Sequence, residues 1–294
     1  MRTHITSVGL VIARDQSASF EYPTHIDRAS LDVLPSKPGV YIFRDENGYP
    51  LYIGKSINIR SRVLSHLRTP EEARMLQQTS RIDFERTAGE VGALLLESRL
   101  IKKMQPVYNV LLRSTHGMCS LKLADGCGQP PEVVFARNSD FARTEGLYGL
   151  FVTRRAAVDT LRKVVEENKL CPALTGLEKT YRGRACFARQ ISRCLGACVG
   201  EETAEMHQSR LRGSLERLKV WMWPWQGPMG IIEESDGWVQ THVVDHWVYL
   251  GSIDHSKKGG RVRRPAKLAF DADTYKILVK PMMLGSIRIE PVEL

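Results

Sequence analysis

The chain has 294 residues, 43% hydrophobic and 26% charged, which is the composition of an ordinary globular protein and excludes a disordered or collagen-like chain. Lys plus Arg is 42 against 33 for Asp plus Glu, a formal charge of +9 that favours a polyanionic partner. At about 100 to 200 residues per domain, this length predicts two domains, or two with a small appendage.

The positive charge is concentrated toward the front of the chain. Residues 33–113 hold 13 basic and 8 acidic side chains and residues 154–219 hold 14 and 8, whereas residues 220–294 hold 9 of each. No stretch approaches the roughly 20 apolar residues that span a bilayer. Ser7–Ala13 is too short, and too soon followed by Arg14 and Asp15, for a signal peptide. The chain therefore reads as cytoplasmic, with no membrane partner.

Residues 1–32 form a leader without periodicity, and Pro35-Ser36-Lys37-Pro38 marks entry to a compact α/β unit over 33–113. Gly39–Phe43 and Leu51–Ile53, joined through Asp45-Glu46-Asn47-Gly48, predict a β-hairpin turning at Asn-Gly. Ile59, Val63 and Leu67 then recur at helical spacing, with Ser56 or Asn58 as cap, and His66 reads as an ordinary helix residue. Thr87-Ala88-Gly89-Glu90 fits a capping box opening a second helix, which runs to about Met104 before Pro106.

On that second helix Ala93, Leu100, Ile101 and Met104 share a face with Glu97. A carboxylate on an apolar stripe costs free energy unless it is paired, hydrogen-bonded or bound to a cation.

Residues 114–219 read as a connector, with short strands at 131–135 and 147–152 and helices at 157–165 and 204–219. Between the helices, Cys171, Cys186, Cys194 and Cys198 lie within 28 residues, and four thiolates can close a tetrahedral Zn2+ site or a [4Fe–4S] cluster. Cys119 and Cys127 read as unligated. Lys179, Arg182, Arg184, Arg189 and Arg193, interleaved with Tyr181 and Phe187, suit DNA through phosphate neutralisation and base stacking. Residues 220–294 read as a β-rich region holding all five tryptophans, either as the core of a small β unit or as a docking surface.

Four segments occur in order: Pro38-Gly39-Val40-Tyr41, Leu51-Tyr52-Ile53-Gly54-Lys55, Leu96-Glu97 followed by Leu100-Ile101-Lys102-Lys103, and Pro106-Val107-Tyr108-Asn109. Through them the chain resembles the GIY-YIG nuclease family, and within it the N-terminal nuclease of the UvrC-type excision-repair endonucleases. Leu147–Phe151, Cys171-Pro172 and Arg193–Gly200 extend the resemblance to about residue 215. No segment matches the UvrB-binding coiled-coil hairpin or the second, RNase H-like nuclease of UvrC, so the arrangement is similar to that of the short UvrC homologues. The expected class is α/β (α+β): a nuclease module with a small central sheet flanked by helices, a cysteine-cluster helical region, then a β-rich C-terminal region.

Phosphodiester hydrolysis needs an aligned water, a base, positive charge on the phosphate and stabilisation of the departing 3′ oxygen. Glu97 can hold one Mg2+ or Mn2+ that retains several waters. The planar fork of Arg62 suits two phosphate oxygens, and Lys55 adds a point charge. Tyr41 or Tyr52 would orient or deprotonate the water, although a phenol near pKa 10 is a poor base unless cations lower it. The resemblance implies Tyr52 as base with Tyr41 in support, Arg62 as the catalytic arginine, Asn109 as a brace, and an iron–sulfur cluster on the four cysteines. It also implies incision of damaged double-stranded DNA on the 3′ side of a lesion located by UvrA and UvrB. Lys102 and Lys103 are expected to contact DNA.

Taken one at a time, the same residues have plain explanations. Strand tyrosines fill cores, Lys55 and Arg62 can be solvated charges, and Glu97 can pair with Arg99 or Lys102. Two other functions compete: a restriction or homing endonuclease acting on undamaged DNA, against which the cysteine segment argues, and a non-catalytic adaptor, against which the full set of Tyr41, Tyr52, Arg62 and Glu97 argues.

Overall fold

The first hairpin forms where Asn-Gly predicts it. In the computed structural model, which describes residues 23–109, 117–181, 184–257 and 262–294, helix α1 (Arg28–Asp32) precedes strands β1 (Gly39–Arg44) and β2 (Pro50–Ser56). Helix α2 (Ile59–Leu67) is capped by Asn58, whose side chain accepts from Ser61 N. Helix α3 (Ala73–Gln78), strand β3 (Arg81–Arg86) and helix α4 (Glu90–Met104) complete the unit.

The sheet is antiparallel with β1 central and β2 at one edge. The strong apolar run of β1 is explained by burial of both its faces. Tyr41 and Phe43 pack with Ile59, Val63, Leu67 and Met75 on one side, while Val40 and Ile42 pack with Ile53, Leu100 and Ile101 on the other. Ile26 and Leu31, from the stretch read as leader, join the first of these clusters.

The connector holds strands β4 (Cys119–Lys122), β5 (Glu132–Phe135) and β6 (Leu147–Phe151), then helices α5 (Arg154–Glu167), α6 (Phe187–Gln190) and α7 (Ala204–Leu215). Its sheet runs β5-β4-β6 and packs through Leu121 and Tyr148 on Leu161, Val165 and Leu211. The C-terminal region adds strands β7 (Met229–Ser235), β8 (Trp238–Asp245) and β9 (Val248–Asp254), helix α8 (Ala272–Met283) and strand β10 (Ile289–Pro291), in the sheet order β10-β7-β8-β9. Trp223 and Trp247 are core and Trp225 packs against them partly buried, with Trp223 edge-on to Trp247 at 5.0 Å and Trp247 edge-on to Tyr275 at 5.2 Å. Trp221 stays 42% exposed.

Helix α4 belongs to two cores. Leu100 and Ile101 face the nuclease sheet, and Leu95 lies among Phe141, Trp247 and Leu278 of the regions beyond. Its start corrects the expected capping box. The N-cap is Gly89 without a side-chain cap, and Thr87 Oγ1 donates instead to Gly89 O. The first turn is capped from far away in sequence, by Glu233. No helix among the described residues is long and apolar enough to cross a membrane.

Candidate active site

Tyr41 and Tyr52 lie on the face of the sheet covered by α2, because their partners across the hairpin are Gly54 and Phe43. Tyr41 is 1% exposed, whereas Tyr52 is half-buried. Gly54 makes the close approach possible, since a Cβ there would overlap the Tyr41 hydroxyl. The charge of the Arg62 guanidinium, exposed on α2, acts on that hydroxyl.

Glu97 comes from the opposite face, and it reaches the edge of the same hairpin. The edge strand β2 has outward N–H groups that no strand among the described residues pairs, and Lys55 N donates to Glu97 Oε1 at 2.9 Å. Two residues earlier, Asn109 clasps the same edge: its Oδ1 accepts from Ile53 N and its Nδ2 donates to Ile53 O, both at 2.8 Å. Glu97 thus turns round the sheet edge, where its charge acts on both phenols. Neither Arg99, which lies over the Tyr249 ring, nor Lys102 pairs with it.

The electrostatics follow from burial. Burial first, then the charge of Glu97, pushes the Tyr52 phenol above its ordinary value, with Arg62 opposing. Tyr41 is pushed up further, by burial and by Tyr52. Burial also raises the Glu97 carboxyl, against the pull of the Lys55 N–H and charge. The Lys55 ammonium itself is taken by Glu90 Oε1 at 2.6 Å.

His66 was not legible as a site residue. It is 3% exposed, and its Nε2 lies 2.7 Å from the Tyr41 hydroxyl while its Nδ1 meets Glu72. Burial lowers its pKa against the effect of Glu72, so the ring is neutral near pH 7. Nδ1–H then donates to the carboxylate and Nε2 accepts from the Tyr41 O–H. The signal available in sequence was a histidine one helical turn after Arg62, facing the buried side.

The residues around Glu97 suit a hard divalent cation, because one carboxylate oxygen is fixed by a backbone N–H and its Oε2 makes no hydrogen bond among the described residues.

A second candidate centre lies in the connector. The Sγ atoms of Cys171, Cys186 and Cys198 lie within 4.8 Å of one another. Cys186 Sγ is 3.8 Å from Cys171 Sγ and 3.5 Å from Cys194 Sγ. Cys119 is buried apart from this group and Cys127 is exposed.

Among the residues expected to contact DNA, Lys103, Lys179, Arg184 and Arg193 are exposed, with Tyr181 and Phe187 beside the latter group. Arg189 is half-buried and ion-paired with Glu201, and Arg182 lies outside the described residues. Lys102 is half-buried, with its ammonium 2.5 Å from Asp271 and 2.8 Å from Asp273, which ties α4 to α8.

Three family models match in succession: the UvrC-like GIY-YIG domain over 37–110, the UvrC/Cho excinuclease middle domain over 118–217 and the excinuclease Cho C-terminal domain over 228–294. The chain is 48% identical to excinuclease Cho of Escherichia coli O157:H7 over 281 residues, covering 95% of this chain and 93% of that protein. It is 50% identical to excinuclease Cho of Salmonella typhi over 277 residues, covering 94% and 92%. UvrABC system protein C of Nitratidesulfovibrio vulgaris is 33% identical over 195 residues, 63% of this chain and 27% of that one. Among solved structures, the magnesium-bound GIY-YIG N-terminal endonuclease domain of UvrC from Thermotoga maritima is 36% identical, covering 28% of this chain and 94% of that domain with a TM-score of 0.26.

Proposed function

The chain belongs to the UvrC/Cho excinuclease family of GIY-YIG endonucleases, and from that premise we propose that it nicks the damaged strand of duplex DNA on the 3′ side of a lesion located by UvrA and UvrB. The observation that carries this reading is the hold of Glu97 on the edge of β2, the strand that carries Tyr52.

In the proposed reaction Glu97 holds one Mg2+ or Mn2+, which when bound supplies Lewis acidity to the phosphate and the departing oxygen. Arg62 binds the non-bridging oxygens of the scissile phosphate, a role suited to an exposed guanidinium. Tyr52, its pKa raised by burial and Glu97, rests protonated and so is a weak base alone. Its outlet would be the neighbouring Tyr41, whose ring centroid lies 6.3 Å away and whose hydroxyl donates to His66. Water gives a proton to the Tyr52 oxygen as the Tyr52 proton passes through Tyr41 to Nε2 of His66, and Glu72 stabilises the resulting imidazolium. The new P–O bond forms as the P–O3′ bond breaks, leaving a 5′ phosphate and, after protonation from solvent, a 3′ hydroxyl. Asn109 holds the strand that carries Tyr52.

Cys171, Cys186, Cys194 and Cys198 are proposed to hold an iron–sulfur cluster. The sulfur spacings of 3.5 and 3.8 Å also suit one tetrahedral Zn2+, whose bonds of about 2.3 Å set sulfurs about 3.8 Å apart. Lys102, Lys103, Lys179, Arg182, Arg184, Arg189 and Arg193 are proposed to bind the duplex. We expect Glu97→Gln to lower nicking of lesion-bearing duplex, in the presence of UvrA, UvrB, ATP and Mg2+, by orders of magnitude with DNA binding retained. Near-parental nicking by this variant would remove Glu97 from the reaction, and cleavage of unmodified DNA without UvrA and UvrB would favour the restriction reading.

A further inference from the structure

The helix that carries Glu97 is gripped at its first turn by a residue of the C-terminal sheet. Glu233 on β7 accepts from Val91 N at 2.9 Å through Oε1 and from Gly92 N at 2.8 Å through Oε2. These are amide groups that a helix start leaves without partners. His242 on β8, 0% exposed, lies 2.9 Å from Glu233 through Nε2 and 2.6 Å from Ser252 Oγ through Nδ1.

The helix is shaped to receive this pair. A Cβ at Gly89 would overlap the Glu233 carboxylate, and one at Gly92 would overlap the His242 ring. Beside them Gln240 Oε1 accepts from Ala88 N at 2.8 Å. At the far end of the helix, Lys102 is tied to Asp271 and Asp273 of α8. Both ends of α4 are therefore held by the C-terminal region, and Glu97 lies between them.

We propose that Glu233 is a positioning residue for the nuclease centre: by holding the first turn of α4 it sets where Glu97, two turns further on, meets the edge of β2, and so how tightly the site takes a divalent cation. The proposal rests on Glu97 as the cation ligand. It makes the C-terminal sheet part of the catalytic apparatus rather than an appendage. Ligand geometry is sensitive to such support, because partners behind a metal ligand commonly change affinity or activity by about 10- to 100-fold.

Three variants of the full chain test this, with Mn2+ binding followed by electron paramagnetic resonance, nicking titrated against Mg2+, DNA affinity, and thermal melting. Glu233→Gln keeps the shape of the side chain and removes its charge. Gly92→Ala fills the cradle with a residue that favours helix, so a loss there does not reflect a weaker α4. Glu234→Gln removes an exposed charge from the same strand as a control.

Glu233→Gln and Gly92→Ala should each weaken Mn2+ binding and raise the Mg2+ concentration for half-maximal nicking by about tenfold. High Mg2+ should recover much of the rate, DNA affinity should be parental, and Glu234→Gln should behave as the parent. Parental Mn2+ binding in either folded cradle variant overturns the proposal. If Glu233→Gln does not fold, Gly92→Ala decides by the same measure. Glu97→Gln separates the two levels: if it still binds Mn2+, the reading of Glu97 fails. If it loses Mn2+ while the cradle variants keep it, only the positioning role fails.

Discussion

Tyr41 and Gly54 face each other across the first hairpin so closely that the phenol occupies the space a side chain at 54 would need. The second glycine of the sequence motif thus serves the tyrosine of the first. Gly54→Ala should displace the Tyr41 hydroxyl from His66, cost about 1–3 kcal/mol by overpacking, and lower nicking at least 100-fold, an order-of-magnitude expectation for a misplaced catalytic group. Melting and single-turnover nicking measure the two effects separately, and a parental rate would remove Tyr41 from the proton path.

The two tyrosines should differ in kind. Tyr41→Phe leaves His66 Nε2 buried without a donor, which should cost about 1–3 kcal/mol of stability. Tyr52 is half-buried, so Tyr52→Phe should melt close to the parent while nicking falls by orders of magnitude. Equal melting losses in the two variants would contradict this division.

The pH profile follows from His66. The ring must be neutral to accept the proton, and burial lowers its pKa despite Glu72. Nicking should therefore be full above an acid limb lying below the ordinary histidine value of about 6.5. Stability has the same sign: just below about 6.5 the unfolded chain holds the extra proton, so the fold weakens as pH falls. Glu72→Gln removes the effect that raises the His66 pKa, so the limb should move to lower pH and the plateau rate should drop. A limb shifted toward higher pH would exclude His66 as the titrating group.

For the thiol centre, protein purified without oxygen should absorb near 400 nm and contain iron. Cys186→Ser should lose the metal and melt lower, because its sulfur lies at the middle of the group. Cys119→Ser, apart from the group, should keep the metal. A colourless protein with one zinc per chain would assign Zn2+ instead.

The hairpin, α2 and α4 were readable because their signals are local: an Asn-Gly turn, apolar spacing of four, and a proline stop. Glu97 was readable as an anomaly on an apolar stripe. The strand at 81–86 was not, since only Ile82 and Phe84 interrupt its charges, and α8 was hidden by the strand character assigned to the whole tail. His66 and Glu72 come together across the turn between α2 and α3, which no periodicity reports. The ion pairing of Lys102 could not be read locally, because its acids lie about 170 residues away in sequence. The cap of α4 was misplaced for the same reason, because a good capping box was present locally while the carboxylate that caps it comes from the far sheet.

That α4 lends Leu95 to one core and Leu100 and Ile101 to another limits how this nuclease can be transplanted. Cutting the gene after residue 110 to graft the module onto another targeting protein would strand a leucine in water and bare two amides, so a chimera of this lineage should retain its tail or carry a redesigned helix surface.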